Sequence, residues 1–253
     1  MNEWFAQSPY GVRFEWGLAG AAALASSSSC LVVVDVLSFT TSVTVAVEAG
    51  MQVFPYAWRD ETAAEFARQN QARLAAGRRA ASADSPWSLS PAALRHAPFT
   101  PRLVLPSPNG SSISSAAASG PATVVAACLR NAHAAGAWLT RRSLGTPDQP
   151  ATVIAAGERW PDGSLRPALE DLLGAGAVIA AMRGPGCGPL SPEAEAARTC
   201  YETTADPAQA VTDSASGREL AEGGFAGDVA IATEINSCAV TPVLIGQAFT
   251  AAS

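Results

Sequence analysis

Four acidic residues stand in places that a globular chain ordinarily fills with apolar ones. Asp35 closes the apolar run 31–34 in "LVVVDVLSFTTS" (31–42). Glu158 directly follows the run 151–156, in "GERW" (157–160). Glu170 and Asp171 come early in the otherwise apolar "LEDLLGAGAVI" (169–179). A carboxylate at the end of a buried strand is costly unless backbone N–H groups hold it or it holds something itself. Carboxylates drawn from separate segments suit Mg2+, which takes hard oxygen ligands. Glu170 and Asp171 would lie about 100° apart around a helix. One of the two is therefore expected to face the site and the other to stabilise the helix start.

Anion-binding chemistry is written in three further places. In "SPNGSS" (107–112), Gly110 permits a tight turn that puts Ser111 and Ser112 at a helix N-terminus. Free N–H groups and the helix dipole make such an end an anion site. Ser107, Asn109 and the hydroxyls of Ser111 and Ser112 would add hydrogen bonds. An ordinary turn with an N-cap uses the same residues. No Gly-Lys-Ser/Thr follows, so this is not a nucleotide P-loop. "CLRNA" (128–132) offers Arg130, whose fork fits a phosphate or sulfonate, with Asn131 beside it; a surface arginine and an N-cap is the other reading. Arg159 and Arg166 flank the Glu158 region. Asp228, in "GGFAGDVAIA", reads as an N-cap. His96 and His133 lie outside these clusters, which leaves a histidine triad or histidine-rich zinc site without support.

The elements that must position these residues alternate. Strands are expected at 31–36, 52–57, 102–105, 122–127, 151–156 and 240–245, with Pro55 marking an edge strand. Helices are expected at 60–76, ending at Gly77, then at 111–119, 131–142 and 168–182, and from Ser191 with Pro192 in the first turn. Residues 40–50 fit a helix ending at Gly50 or a strand of period two. Residues 82–100 read as an irregular excursion that closes over the site. This alternation is that of a three-layer α/β/α fold on a mostly parallel or mixed sheet. Asp35, "SPNGSS", "CLRNA" and "GERW" then all fall just past the carboxyl ends of strands, where open α/β sheets bind ligands.

Bulk properties narrow the partners. The 253 residues fit one α/β domain or two modest lobes. The net charge of −6, with only 15% charged residues, argues against a nucleic-acid binder. The five cysteines form no close pair and are odd in number, which suits a reducing, cytoplasmic setting. Residues 17–34 are uncharged but hold four consecutive serines and two glycines, so no membrane span is expected there. Glu3 and Glu15 precede that stretch without a lysine, against a secretory signal. A homodimer stays open.

Taken in order, "VVVDVLSFTTSV", "SPNGSS", "CLRNA", "VIAAGERW", "LEDLLGAGAVI" and "GREL" resemble the 2-phosphosulfolactate phosphatase family, from residue 32 to about 220. The resemblance implies a cytoplasmic, Mg2+-dependent phosphatase that converts 2-phosphosulfolactate to sulfolactate and phosphate in coenzyme M biosynthesis. Asp35, with Glu170 or Asp171, is expected to bind the metal. Asp35, Arg130, Glu158 and Arg159 are the expected catalytic residues. Ser107, Asn109, Gly110, Ser111, Ser112, Asn131 and Arg166 are expected at the small phosphorylated substrate, and its sulfonate is expected on Arg159 or Arg166. One position departs: Ser38-Phe39 stands where family members often read Arg-Ala. Two rivals differ in class, a phosphatase for another small ester and a non-catalytic binder of phosphorylated or sulfonated ligands. A haloacid-dehalogenase mechanism is disfavoured, because its second aspartate would fall on Leu37.

Overall fold

The structure, a computed structural model, describes residues 4–57, 61–82, 85–182 and 187–252. Its centre is the strand β2 (Cys30–Val34), buried along its whole length. Leu31 and Val33 point into one apolar cluster and Val32 and Val34 into another. Period-two alternation with both faces buried is the signature of a sheet covered on both sides. The helices α1 (Gly17–Leu24), α2 (Phe39–Glu48), α4 (Pro91–His96) and α5 (Gly110–Ala117) supply the first cluster. On the other face lie α6 (Ala132–Arg141), α7 (Leu169–Ala181) and α8 (Pro192–Thr203). The expected three-layer α/β arrangement is therefore present.

Among the described residues, nine strands form one mixed sheet. The strands β1 (Val12–Trp16), β7 (Ala151–Ala155), β2 and β6 (Thr123–Ala127) lie side by side and parallel. A second parallel set comprises β3 (Gln52–Tyr56), β5 (Arg102–Pro106) and β4 (Arg73–Leu74). Between the sets sits a hairpin, β10 (Pro242–Ile245) and β11 (Ala248–Ala251), antiparallel to β6 on one side and to β3 on the other. The two sets thus run in opposite directions across the hairpin. The loops that leave β2 and β5 nevertheless meet, since the Gly110 N–H after β5 bonds Asp35 after β2.

Several sequence expectations change. Helix α3 (Glu61–Gln69) stops well before Gly77; Gln71 takes a positive φ of 52°, and the chain re-enters the sheet as β4. Asp60, the expected first residue of that helix, lies outside the described residues. Pro55 is not on an edge, because β3 lies between β11 and β5. The only ladder pair from β11 to β3 is Phe249 with Val53, so no partner needs the N–H that Pro55 lacks. Residues 40–50 resolve to helix α2, in which Thr40 and Thr41 donate their hydroxyls to the carbonyls of Asp35 and Val36. Burial of that helix against β3, β6 and β11 overrides the strand preference of its valines. The 82–100 excursion contains helix α4, and its residues 83–84 lie outside the described residues.

Candidate active site

Asp35 is buried where β2 ends, and its carboxylate is held by backbone. Oδ1 accepts the Phe39 N–H at 3.1 Å and Oδ2 accepts the Gly110 N–H at 2.8 Å. The expected anion site at the start of α5 is therefore built, but the anion its first N–H holds is the protein's own Asp35. Gly110 is required by this approach: a Cβ there would sit 2.7 Å from Asp35 Oδ2 and 2.9 Å from Asp35 Cβ. The serine hydroxyls of the loop are also committed. Ser111 donates to the Leu105 carbonyl and Ser112 to the Pro108 carbonyl, each at 2.8 Å. Ser107 is buried, with its N–H on the Tyr56 carbonyl.

Three more acids gather round Asp35. Asp171, in the first turn of α7, accepts the Val36 N–H at 2.7 Å and the Gly157 N–H at 2.8 Å. It ties together the loops that leave β2 and β7, rather than stabilising its own helix start. Gly157 has φ +66°, a backbone region that favours glycine, and this turn aims its N–H at Asp171. Glu170 is only 2% exposed and makes no hydrogen bond or ion pair among the described residues. Glu158 begins a short ribbon, β8 (Glu158–Arg159) paired with β9 (Leu165–Arg166), and accepts the side-chain amide of Asn109 at 2.9 Å. Residues from the ends of β2, β5 and β7 and from the start of α7 thus meet at one point.

The electrostatics reflect this crowding. Burial pushes the Asp35 carboxyl up from its ordinary value; the Glu170 charge adds to that, while the two N–H bonds and the Arg78 guanidinium act against it. Asp171 is raised well above its ordinary value by burial and then by the charges of Asp35 and Glu170. Glu158 is raised to about 7, by burial first and then by Asp35 and Glu170. Carboxylates that raise one another in this way favour a proton or a cation among them. The donor chemistry would suit a hard divalent ion, which Glu170 and the remaining lone pairs of Asp35 could hold. No group of three or more acidic, histidine or cysteine side chains forms a ready metal cage among the described residues. Mg2+ commonly manages with one or two carboxylates, completing its shell with phosphate oxygens and water.

The cation that faces Asp35 is Arg78, from the segment "GRRAA" (77–81). Its Nη2 donates to Ser38 Oγ at 2.5 Å and its Nε to Asp228 Oδ2 at 3.2 Å. Asp228, in the helix Ala226–Ala232, also accepts the Ser90 hydroxyl and, at 3.2 Å, the Ala92 N–H. Asp228 thus caps the helix α4 that packs beside it, not its own. Arg78 carries no sequence signal for this placement, since it follows no apolar strand run and is one of two adjacent arginines.

The other expected residues divide. Arg166 donates to Ser216 Oγ at 3.1 Å, lies over the Trp160 ring and lowers the Glu158 pKa by its charge. Arg159 is exposed, with its guanidinium on the Gly163 carbonyl at 3.4 Å. Arg130 is buried and engages Thr44, Glu48 and Glu234. Asn131 accepts the Cys128 N–H and donates to the Ala126 and Val240 carbonyls. The structure brings together Asp35, Asn109, Gly110, Glu158, Glu170 and Asp171, with Arg166 at their side, while the side chains of Arg130 and Asn131 bind neighbouring elements. All five cysteines are free. Among the described residues no helix is long and apolar enough to cross a membrane.

Comparison with known proteins bears on this site. The sequence model of the family described as 2-phosphosulpholactate phosphatase matches residues 21–247, which enclose every residue of the acid cluster and its arginines. A curated relative from Deinococcus radiodurans, "Probable 2-phosphosulfolactate phosphatase", is 29% identical over 144 residues. That stretch is 57% of this chain and 56% of the relative, so the match spans little more than half the length of either.

Proposed function

The chain belongs to the 2-phosphosulpholactate phosphatase family, and from that premise we propose that it is a Mg2+-dependent phosphoric monoester hydrolase of small anionic esters, releasing sulfolactate and phosphate from 2-phosphosulfolactate. The observation that carries the reading is Glu170, a buried carboxylate with no protein partner among the described residues, set among three other acids. A cluster of that kind calls for a cation. When bound by Glu170 and Asp35, Mg2+ supplies charge to polarise the phosphoryl group and lowers the pKa of water.

The chain's own residues do the rest. Backbone N–H groups of Phe39 and Gly110 fix the direction of the Asp35 carboxylate, and Asp171 locks the two strand-end loops beside it. Glu158, whose pKa burial raises, can take a proton from attacking water or give one to the leaving oxygen. Asn109 orients Glu158 for either task. The Arg78 charge favours the ionised form of Asp35. The reaction is taken to be intracellular, consistent with the free cysteines.

A phosphate-release assay tests this reading. Turnover of 2-phosphosulfolactate should exceed that of sugar and hydroxy-acid phosphates, should vanish after exhaustive EDTA treatment and should return with Mg2+. Full turnover in EDTA would remove the metal from the account. Faster release from another ester would move the substrate assignment, and no release from any ester would favour a non-catalytic binder.

A further inference from the structure

A cavity of about 510 Å³ opens beside the acid cluster, lined by Arg78, Arg79, Glu158, Ser216, Glu219 and Phe225 among others. It shares Glu158 with the cluster, so a ligand whose phosphoryl group meets the acids would extend into it. Arg78 forms part of its wall with two of its three nitrogens committed, Nε to Asp228 and Nη2 to Ser38. Its Nη1 makes no hydrogen bond among the described residues. Arg79 is exposed at the same cavity and has neither a hydrogen bond nor an ion pair among the described residues. Arg166 donates to Ser216 of the same lining from behind it. Two guanidinium groups, those of Arg78 and Arg79, therefore line one space with the carboxylates of Glu158 and Glu219.

We propose that this cavity seats the second, non-reacting anionic group of the substrate, and that Arg78 is its receptor, positioned by Asp228. The class of ligand is a compact ester with a fixed sulfonate or carboxylate a few bonds from the phosphate. The inference rests on the phosphatase reading and names the part of the site that reading leaves open. The anchoring gives it a physical basis. The Asp228 side chain is 1% exposed and that of Arg78 is 20% exposed, so the guanidinium is held in one orientation before any ligand arrives. A fork held this way offers its free nitrogen to an anion at little entropic cost. The chain also places this guanidinium on Ser38, so residue 38 meets a cation from another segment instead of bearing one.

The test uses the full chain with Mg2+ and compares 2-phosphosulfolactate with p-nitrophenyl phosphate, whose leaving group lacks a second anion. Arg78→Ala should lower kcat/KM for the sulfonated ester roughly 10- to 100-fold more than for the aryl ester, mainly through KM, the range expected for one charge-assisted hydrogen bond. Asp228→Asn should give the same imbalance to a smaller degree, and Arg78→Lys should recover part of it. Equal losses on both esters would mean that Arg78 holds the reacting phosphate, and would overturn the proposal while leaving the phosphatase reading intact. Calorimetric binding of sulfolactate supplies a readout free of turnover. Binding to the wild type that weakens at least tenfold in folded Arg78→Ala supports the proposal even if no ester is hydrolysed. Binding that weakens less than tenfold, or none to the wild type, overturns it.

Discussion

Glu158 shows how one side chain inherits its chemistry from neighbours three elements away. Asn109 fixes it from the loop after β5, while burial first, and then Asp35 and Glu170, push its pKa to about 7. A carboxyl raised in the folded state keeps a proton that the unfolded chain has already lost. Its contribution to stability is therefore complete below the ordinary value of 4.5 and is lost as pH rises to about 7. Asp35 and Asp171 shift in the same direction. In the absence of divalent cations, the melting temperature should fall between pH 5 and pH 8, and Glu158→Gln should flatten part of that slope. A profile with the same slope in the variant would assign the titration to another group.

The strand ends and helix starts decide where such residues can meet. Gly110 is the first residue of α5 and touches Asp35 so closely that no side chain fits between them. Gly110→Ala should therefore displace the Asp35 carboxylate, costing about 1–3 kcal/mol of stability and most of the activity, as read by urea unfolding and phosphate release. Stability and turnover like those of the wild type would show that the two loops are free to separate. The elements around this contact were largely legible in the sequence. Apolar runs marked β2, β5, β6 and β7, and each carried its polar cluster at the following loop. Less legible was what those clusters bind. "SPNGSS" reads as a cradle for a foreign anion, yet Gly110 holds Asp35; "CLRNA" reads as a ligand grip, yet Arg130 and Asn131 bind neighbouring segments. Both patterns report a capacity for hydrogen bonding, and only tertiary structure says which partner takes it. Arg78 is the converse case, because its role depends on Asp228 and Ser38, which are distant in sequence.

Across the whole molecule, an α/β class followed from alternation, while the division of the sheet into two opposed sets did not. That division depends on where the β10–β11 hairpin inserts, and pairing partners leave little trace in a single strand's composition. The hairpin has a consequence for how the protein is made. Residues 242–251 occupy the middle of a sheet whose other strands all precede them in the chain. On the ribosome, both half-sheets emerge first, with β6 and β3 presenting unpaired edges, and unpaired edges recruit other chains. The nascent protein must keep those edges apart until the closing strands arrive. A chain shortened to residue 241 should accordingly aggregate, with loss of the cooperative transition in calorimetry; a soluble, cooperatively melting product would show that the halves can close on each other directly. The Asp35–Gly110 contact, which joins the two half-sheets, is then among the last features of the protein to form, and assembly of the site reports that synthesis has passed the hairpin.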